Sequence, residues 1–210
     1  ADVYTFVKGK IDAFESALKD GDFNTVRTII DYESWADFFI LTEFAKNGDG
    51  YRASCVFVYE GGLLKAYPLW DYELSFDNET RQEHGIDSKE GLLVKQTTYN
   101  KVSGNNGTFP APFWWTGNYY NQKTYKGLLD DPCFVAMVNA RWSKHTTGEG
   151  ALTKTKMQKL VDTYNTALTT TDGTTTYNTP QKREALKWPY DGTTRGLTCN
   201  SKGIGYYGQG

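Results

Sequence analysis

The sequence has 210 residues, of which 39% are hydrophobic and 23% charged, the ordinary composition of a globular protein with one or two domains. The net charge is −2 and no basic stripe is present, which argues against nucleic acid as a partner. No apolar run is long enough to span a membrane, and the three cysteines form no CxxC pair that would indicate a zinc site.

Three helices are predicted in the first part of the chain. Apolar residues recur at helical spacing up to Gly21, which ends the first helix, and a short second helix follows as FNTVRTII. Asp31 is the expected N-cap of the third helix. We expect this helix to end at the sequence NGDG, because Gly48 and Gly50 favour the left-handed turn that closes helices.

A β-hairpin flanked by acidic residues is predicted next. The apolar runs RASCVFVYE and LLKAYPLW are joined by Gly61-Gly62, with Asp49 before the first run and Asp71 and Glu73 after the second. Because a hairpin returns the chain to its starting edge, we expect the acids to converge there, with Asp71 and Glu73 alternating on the strand end. Converging carboxylates are suited to holding Mg²⁺ against phosphate.

Simpler interpretations of these acidic residues exist on spacing alone. Asp49 is also a common kind of turn residue after a helix, and Asp71 with Glu73 also fits a solvated strand end. Asn47 either orients Asp49 or only closes the helix. The spacing leaves these alternatives open.

An aromatic run follows a long segment, residues 74–112, that lacks periodicity apart from one candidate strand at LLVKQTTY. Trp114, Trp115, Tyr119 and Tyr120 form either a surface that stacks carbohydrate or peptide, or a hydrophobic anchor where the chain rejoins a helical core. We favour the anchor.

The remainder of the chain is mainly helical. Two helices are predicted to meet at Asp131-Pro132, and TKTKMQKLVDTYNTAL predicts a further amphipathic helix. Another helix is expected at PQKREALKW. The fold class is therefore α+β and mostly helical around a central β-hairpin, with a single domain over residues 1–196 and a flexible tail over 197–210.

Three segments, in this order, resemble the bacterial spore-coat protein H (CotH) family of kinase-like proteins. They are DYESWADFFILTEFAKNGDGYRAS, VFVYEGGLLKAYPLWDYELSFDN and FWW…LLDDPCFVAMVNARW. The match is good over residues 31–78 and looser over 113–190. The resemblance implies an atypical kinase fold similar to a kinase C-lobe, with Mg²⁺ and ATP as cofactors and a protein serine or threonine hydroxyl as acceptor.

The resemblance also implies roles for the acidic residues. Asp49 would be the catalytic base or would position the acceptor hydroxyl, and Asp71 would bind the metal, assisted by Glu73. The sequence departs from the pattern twice: Glu73 stands where the family usually has Asp, and Ser54 stands where ordinary kinases have an Asn that holds a second metal. As a metal ligand Ser54 would be weak and neutral.

A kinase also needs an N-terminal lobe that grips the nucleotide. Only 48 residues precede Asp49, and they predict helices, so we expect this lobe to lie outside these residues and the 210 residues alone to be inactive. The alternative is a non-catalytic module on a kinase-like scaffold that binds a cell-surface glycan or protein. For either function we expect an extracytoplasmic location: secreted, periplasmic or at the cell surface.

Overall fold

The computed structural model confirms a mostly helical α+β chain with short antiparallel hairpins. It describes residues 2–51, 54–72, 75–76, 90–95, 111–119, 122–123, 125–169, 198–200 and 203–205. The predicted helix at PQKREALKW, together with Glu73 and Tyr120, lies outside these residues. The chain forms two compact units, residues 1–142 and 143–210.

The described residues form helices and pairs of antiparallel strands, numbered in chain order. The helices are α1 (Val3–Asp20), α2 (Phe23–Ile29), α3 (Tyr32–Ala45), α4 (Ala111–Thr116), α5 (Pro132–Thr146) and α6 (Lys154–Thr169). Antiparallel pairs form between β1 (Phe57–Glu60) and β2 (Leu63–Ala66), β3 (Asn118–Tyr119) and β4 (Gln122–Lys123), and β5 (Thr198–Asn200) and β6 (Gly203–Gly205). Where a strand was predicted at LLVKQTTY, the described part is a 3-10 turn, Leu93–Lys95.

Aspartate N-caps start the first three helices. Asp2, Asp22 and the predicted Asp31 each accept a backbone N–H in the first turn, at 2.7, 3.1 and 3.1 Å. The side-chain oxygen satisfies an amide that has no partner within the helix. At the other end of α1, Gly21 closes the helix with φ 73°, as predicted.

The end of α3 differs from the prediction. Lys46, and not Gly48 or Gly50, takes the left-handed conformation that closes the helix, with φ 54°. Its side chain lies 3.6 Å from the carboxylate of Glu43 and donates to the carbonyl of Gly91. These tertiary contacts favour a conformation that a lysine seldom adopts by itself.

The core of the first unit is aromatic and surrounds α3. Trp35, at 1% exposure, stacks on Phe57 of β1 and contacts Phe14 of α1 and Trp115 of α4, with ring centroids 5.0 to 5.6 Å apart. Its Nε1 donates to the carbonyl of Leu64 over 3.0 Å, which attaches β2 to the helix. Buried residues lie on all sides of α3, as expected of a central helix.

Two partly buried ion pairs attach α5 to the earlier helices. Asp131, just before α5, accepts from Arg27 of α2 at 3.0 Å and from the hydroxyl of Tyr32 at 2.7 Å. Further along α5, Arg141 binds Asp37 of α3 through two guanidinium nitrogens. Both contacts join residues about a hundred positions apart, so they depend on the folded chain.

The second unit contains the predicted amphipathic helix as α6. Leu160, Val161 and Tyr164 on this helix are 50 to 63% exposed. No described helix in either unit is long and apolar enough to cross a membrane.

Candidate functional site

The predicted hairpin is confirmed and has a tight two-residue turn. Gly61 and Gly62 have φ of 62° and 86°, and Glu60 pairs with Leu63 across the turn. Positive φ at both central residues is the type I′ geometry that matches the twist of the strands and favours glycine. The strands are shorter than the apolar runs, since β2 ends at Ala66.

Asp71 therefore does not lie on a strand end, which corrects the prediction that it alternates with Glu73 on one face of the sheet. The chain leaves the ladder before Pro68, which has no N–H to donate to a neighbouring strand. Asp71 is exposed and has a left-handed backbone, with φ 63°. Its side-chain direction consequently does not follow strand alternation.

Asn47 joins the two acidic segments that the hairpin brings back together. Its side chain is fully buried, and its Nδ2 donates to the carbonyl of Asp71 over 3.3 Å. Its Oδ1 accepts from the backbone N–H of Asp49 at 3.1 Å. The sequence allows Asn47 either to orient Asp49 or to close the helix. These bonds fit the orienting role, because the residue that closes the helix is Lys46.

Asp49 lies half-buried in a tight turn directly after α3. The N–H of Gly50 donates to the carbonyl of Asn47 at 3.1 Å, and the N–H of the buried Ser54 donates to the carbonyl of Asp49 at 2.9 Å. Gly50 is packed so closely that a Cβ there would lie 2.6 Å from Cγ2 of Thr42. The turn that carries Asp49 is thus fixed by hydrogen bonds and by close packing against α3.

Two short described stretches, residues 71–72 and 75–76, lie beside the end of α3. The hydroxyls of Tyr72 and Thr42 lie 3.0 Å apart, and the N–H of Phe76 donates to the carbonyl of Ala45 at 2.7 Å. Burial raises the pKa of Tyr72, which keeps this hydroxyl neutral. Together with the Asn47 bond, these contacts hold residues 71–72 and Phe76 along the end of the helix.

A buried carboxylate, Glu43, holds a further segment against the same helix turn. At 7% exposure, its Oε2 accepts from the N–H of Leu93 at 2.5 Å, and its Oε1 accepts from the N–H of Val94 at 3.1 Å and the hydroxyl of Tyr51 at 3.0 Å. Burial raises the pKa of Glu43 although these donors and Lys46 oppose the shift. Sequence reasoning missed this residue; its signal was a lone acid inside the apolar run FFILTEFA.

The aromatic run predicted as an anchor or a stacking surface enters the core. Trp115 is 1% exposed and packs against other rings, so it presents no face to solvent. Trp114 is half-buried, and its Nε1 donates to Glu15 of α1 at 2.8 Å. The backbone of Tyr119 pairs in β3. The two tryptophans thus have the arrangement of a hydrophobic anchor.

The oxygen donors at this site fit a hard divalent cation. Asp71 supplies a carboxylate, and Mg²⁺ in proteins often has only one or two carboxylate ligands besides water and substrate phosphate. Within the described residues, the hydroxyl of Ser75 is buried and has no hydrogen-bond partner. No cluster of three histidine, cysteine, aspartate or glutamate side chains suited to a metal occurs in the described ranges.

A helix, an aspartate turn, a β-hairpin and a second aspartate segment, joined by one buried amide, make up the candidate site. The family model for the CotH kinase protein matches residues 4–195. This match covers most of the chain, so the protein belongs to the CotH kinase family, as the resemblance indicated. Comparisons with curated proteins and with solved structures gave no match.

Proposed function

We propose that this protein is an Mg²⁺-dependent phosphotransferase that transfers a phosphoryl group from ATP to serine or threonine hydroxyls of a protein acceptor. The observation that carries the proposal is the Asn47 side chain, which bonds to the backbone of both Asp49 and Asp71. Family membership supports a kinase-like function. The contact supports a shared site for the two aspartates.

The order of elements supports a similarity to a kinase C-lobe. In a kinase, a helix leads into the loop with the catalytic aspartate, and the metal-binding aspartate follows further along the chain. Here α3 leads to Asp49, and Asp71 follows the β1–β2 hairpin. Ser54, the position of the second-metal asparagine, is 3% exposed and donates its N–H to the Asp49 turn, which supports a structural role.

The two aspartates would have different tasks. We propose that Asp49 orients the acceptor hydroxyl and accepts its proton, while Asp71, assisted by Glu73, holds Mg²⁺. When bound, the metal would neutralise charge on the phosphates. The protein's own contribution is then positioning: Asn47 and the packed Gly50 hold Asp49 still relative to Asp71, and such orientation supplies much of the rate enhancement in phosphoryl transfer.

Two cations of the described residues are already paired. Lys46 binds Glu43 and the Gly91 carbonyl, and Arg141 binds Asp37. We therefore assign neither of them to the phosphates. We propose that the lysine that grips the nucleotide lies elsewhere than in the described residues.

Calorimetric titration of Mg²⁺-ATP into the full-length protein tests the metal role. We expect Asp71→Ala to abolish binding, because it removes the proposed metal ligand. The matched control is Glu60→Ala, which removes an exposed carboxylate of the same hairpin that pairs with Lys65, and should bind as wild type. Unchanged binding in Asp71→Ala would contradict the proposal.

A second variant separates the role of Asp49 from that of Asp71. Asp49→Asn keeps the size of the side chain but removes the base, so Mg²⁺-ATP binding should persist while the transfer rate falls by about 10²–10⁴-fold. The rate is measured as phosphate incorporated from labelled ATP into a protein acceptor. Equal rates for Asp49→Asn and wild type would exclude Asp49 as the base.

The alternative, a non-catalytic binding module, was motivated partly by the aromatic run. Because Trp115 is buried and Trp114 faces α1, these rings support a core role and do not favour that alternative. An extracytoplasmic location is part of our proposal, and it can be checked by fractionating cells that produce the protein.

A further inference from the structure

We infer that Glu43 is a positioning residue for the proposed site: its carboxylate fixes Tyr51, and through Tyr51 it fixes the turn that carries Asp49. The inference rests on the proposed function of Asp49 and Asp71. Glu43 lies inside α3, and in the described hydrogen bonds its side chain contacts neither Asp49 nor Asp71. The hydrogen bonds that hold Tyr51 in place depend on the negative charge of Glu43.

The contact between Glu43 and Tyr51 is held rigidly. Tyr51 is completely buried, and its ring packs against Phe38, Phe39 and Trp115 with centroids 5.5 to 6.3 Å apart. Its hydroxyl lies 3.0 Å from the Glu43 carboxylate and 3.4 Å from the carbonyl of Phe39, so the carboxylate is the closer acceptor. A ring enclosed in this way transmits the position of its hydroxyl to its backbone.

The Asp49 turn is thereby held from both ends. On its N-terminal side, Asn47 receives the N–H of Asp49. On its C-terminal side, the hydroxyl of Tyr51 donates a hydrogen bond to Glu43. Glu43 lies in the last turn of α3, about one helical turn before Asn47 in the sequence. Both attachments lead to the same end of one helix, so a change at Glu43 moves one end of the turn relative to the other.

The geometry requires an acceptor that offers no proton of its own. Among the described residues three donors face Glu43: the hydroxyl of Tyr51 and the amides of Leu93 and Val94, with Lys46 as the facing charge. An ionised carboxylate accepts from all of them. An amide must turn a hydrogen toward one of the backbone N–H groups, and a protonated acid loses an acceptor position or reverses its bond with the Tyr51 hydroxyl. Burial raises the pKa of Glu43, so loss of this charge begins at a higher pH than for an ordinary glutamate.

Two substitutions test the hydrogen bond between Tyr51 and Glu43, one at each of the two residues. Glu43→Gln replaces the carboxylate by an amide of the same shape, and Tyr51→Phe deletes only the hydroxyl, which preserves a test if the first variant does not fold. The matched control is Tyr32→Phe, because Tyr32 donates its hydroxyl to another buried carboxylate, Asp131, at 2.7 Å. Tyr51→Phe and Tyr32→Phe each remove one hydroxyl bond to a buried acid, so they form the matched pair, whereas Glu43→Gln replaces the acid itself.

The first readout is binding of Mn²⁺ alone, a probe for the Mg²⁺ site, followed by loss of the free-ion electron paramagnetic resonance signal. We expect Glu43→Gln and Tyr51→Phe to bind Mn²⁺ about tenfold more weakly, as for residues that orient metal ligands. Tyr32→Phe should bind as wild type. Asp71→Ala is measured in parallel. If Asp71→Ala binds Mn²⁺ as tightly as wild type does, the proposed function fails.

The second readout needs no metal and decides the inference independently. With Asp49→Asn introduced into wild type and into every variant, so that the turn carries no carboxylate of its own, the ¹H–¹⁵N resonances of residues 48–50 should show an inflection with pH that Glu43→Gln abolishes and Tyr51→Phe weakens. Tyr32→Phe should retain it. Resonances that titrate identically in wild type, Glu43→Gln and Tyr51→Phe would overturn the role of Glu43, whatever the outcome with Asp71→Ala.

Discussion

The side-chain amide of Asn47 donates a hydrogen bond to the carbonyl oxygen of Asp71 over 3.3 Å. The β1–β2 hairpin separates these two residues in the sequence. The carbonyl end of the same amide accepts the N–H of Asp49 at 3.1 Å. One fully buried side chain thus fixes the backbones of both acidic segments. The mutual placement of the two proposed functional aspartates depends directly on this amide.

Replacing Asn47 by aspartate should disrupt this arrangement. Asn47→Asp keeps an acceptor for the Asp49 amide but loses the donor to Asp71 and places a carboxylate oxygen against the carbonyl. We expect the free energy of unfolding to fall by about 1–3 kcal/mol, the cost of an unsatisfied buried group. Urea denaturation measures this change. Asn24→Asp, on the exposed face of α2, is the control and should change stability by no more than about 0.5 kcal/mol.

Gly50 should tolerate no side chain. A Cβ at this position would lie 2.6 Å from Cγ2 of Thr42, so Gly50→Ala should destabilise the protein by about 1–3 kcal/mol through overpacking. Thr42→Ser removes that methyl group and retains the hydroxyl that contacts Tyr72. The double variant should therefore recover part of the loss in thermal denaturation. Additive effects of the two substitutions would show that this contact is not the cause.

Glu43 should make stability depend on pH in a defined direction. Burial raises its pKa in the folded state, so the folded protein binds the proton more tightly than the unfolded chain. Its contribution to stability is therefore complete below the unfolded pKa and is lost as pH rises through the folded pKa. Urea midpoints measured upward from pH 4 should show this decline in wild type, and Glu43→Gln should lack it. A decline of equal size in both proteins would assign it to another group.

Asp131 should have the opposite effect at low pH. Burial alone would raise its pKa, but hydrogen bonds from Tyr32, from the N–H of Cys133 and from Arg27 together hold the pKa below its usual range. The folded state therefore binds the proton less tightly, and the stability contributed by Asp131 is present above the unfolded pKa and lost as pH falls through the folded pKa.

The corresponding variant is Asp131→Asn. It weakens hydrogen bonds to a charged acceptor and should lower the free energy of unfolding by about 1.5–3 kcal/mol at neutral pH, with a smaller difference in acid. Asp12→Asn removes a carboxylate from the exposed pair with Lys8 and is the control, with an expected change below about 1 kcal/mol. Guanidinium titrations at neutral pH and in acid compare the three proteins. A loss for Asp131→Asn no larger than for Asp12→Asn would refute the proposed network.

Local chemistry made several features predictable from the sequence. Gly61-Gly62 specified the turn of the hairpin, and Asp31 and Gly21 specified helix ends, because each of these signals acts on backbone groups within a few residues. The hairpin in turn predicted that the segments of Asp49 and Asp71 would meet. The motif order around them was sufficient to indicate the family that the comparison confirmed.

Other features were decided only by the tertiary structure. Lys46 closes α3 in place of a glycine, and Glu43 receives amides from residues about fifty positions away. Trp115 enters the core, and Asp71 leaves the strand pattern that was predicted for it. These outcomes depend on which distant groups pack against the end of α3. Burial there stabilises contacts between residues that no local pattern relates. The sequence alone therefore determined the first helices, the hairpin turn and the family, and packing determined the geometry of the site.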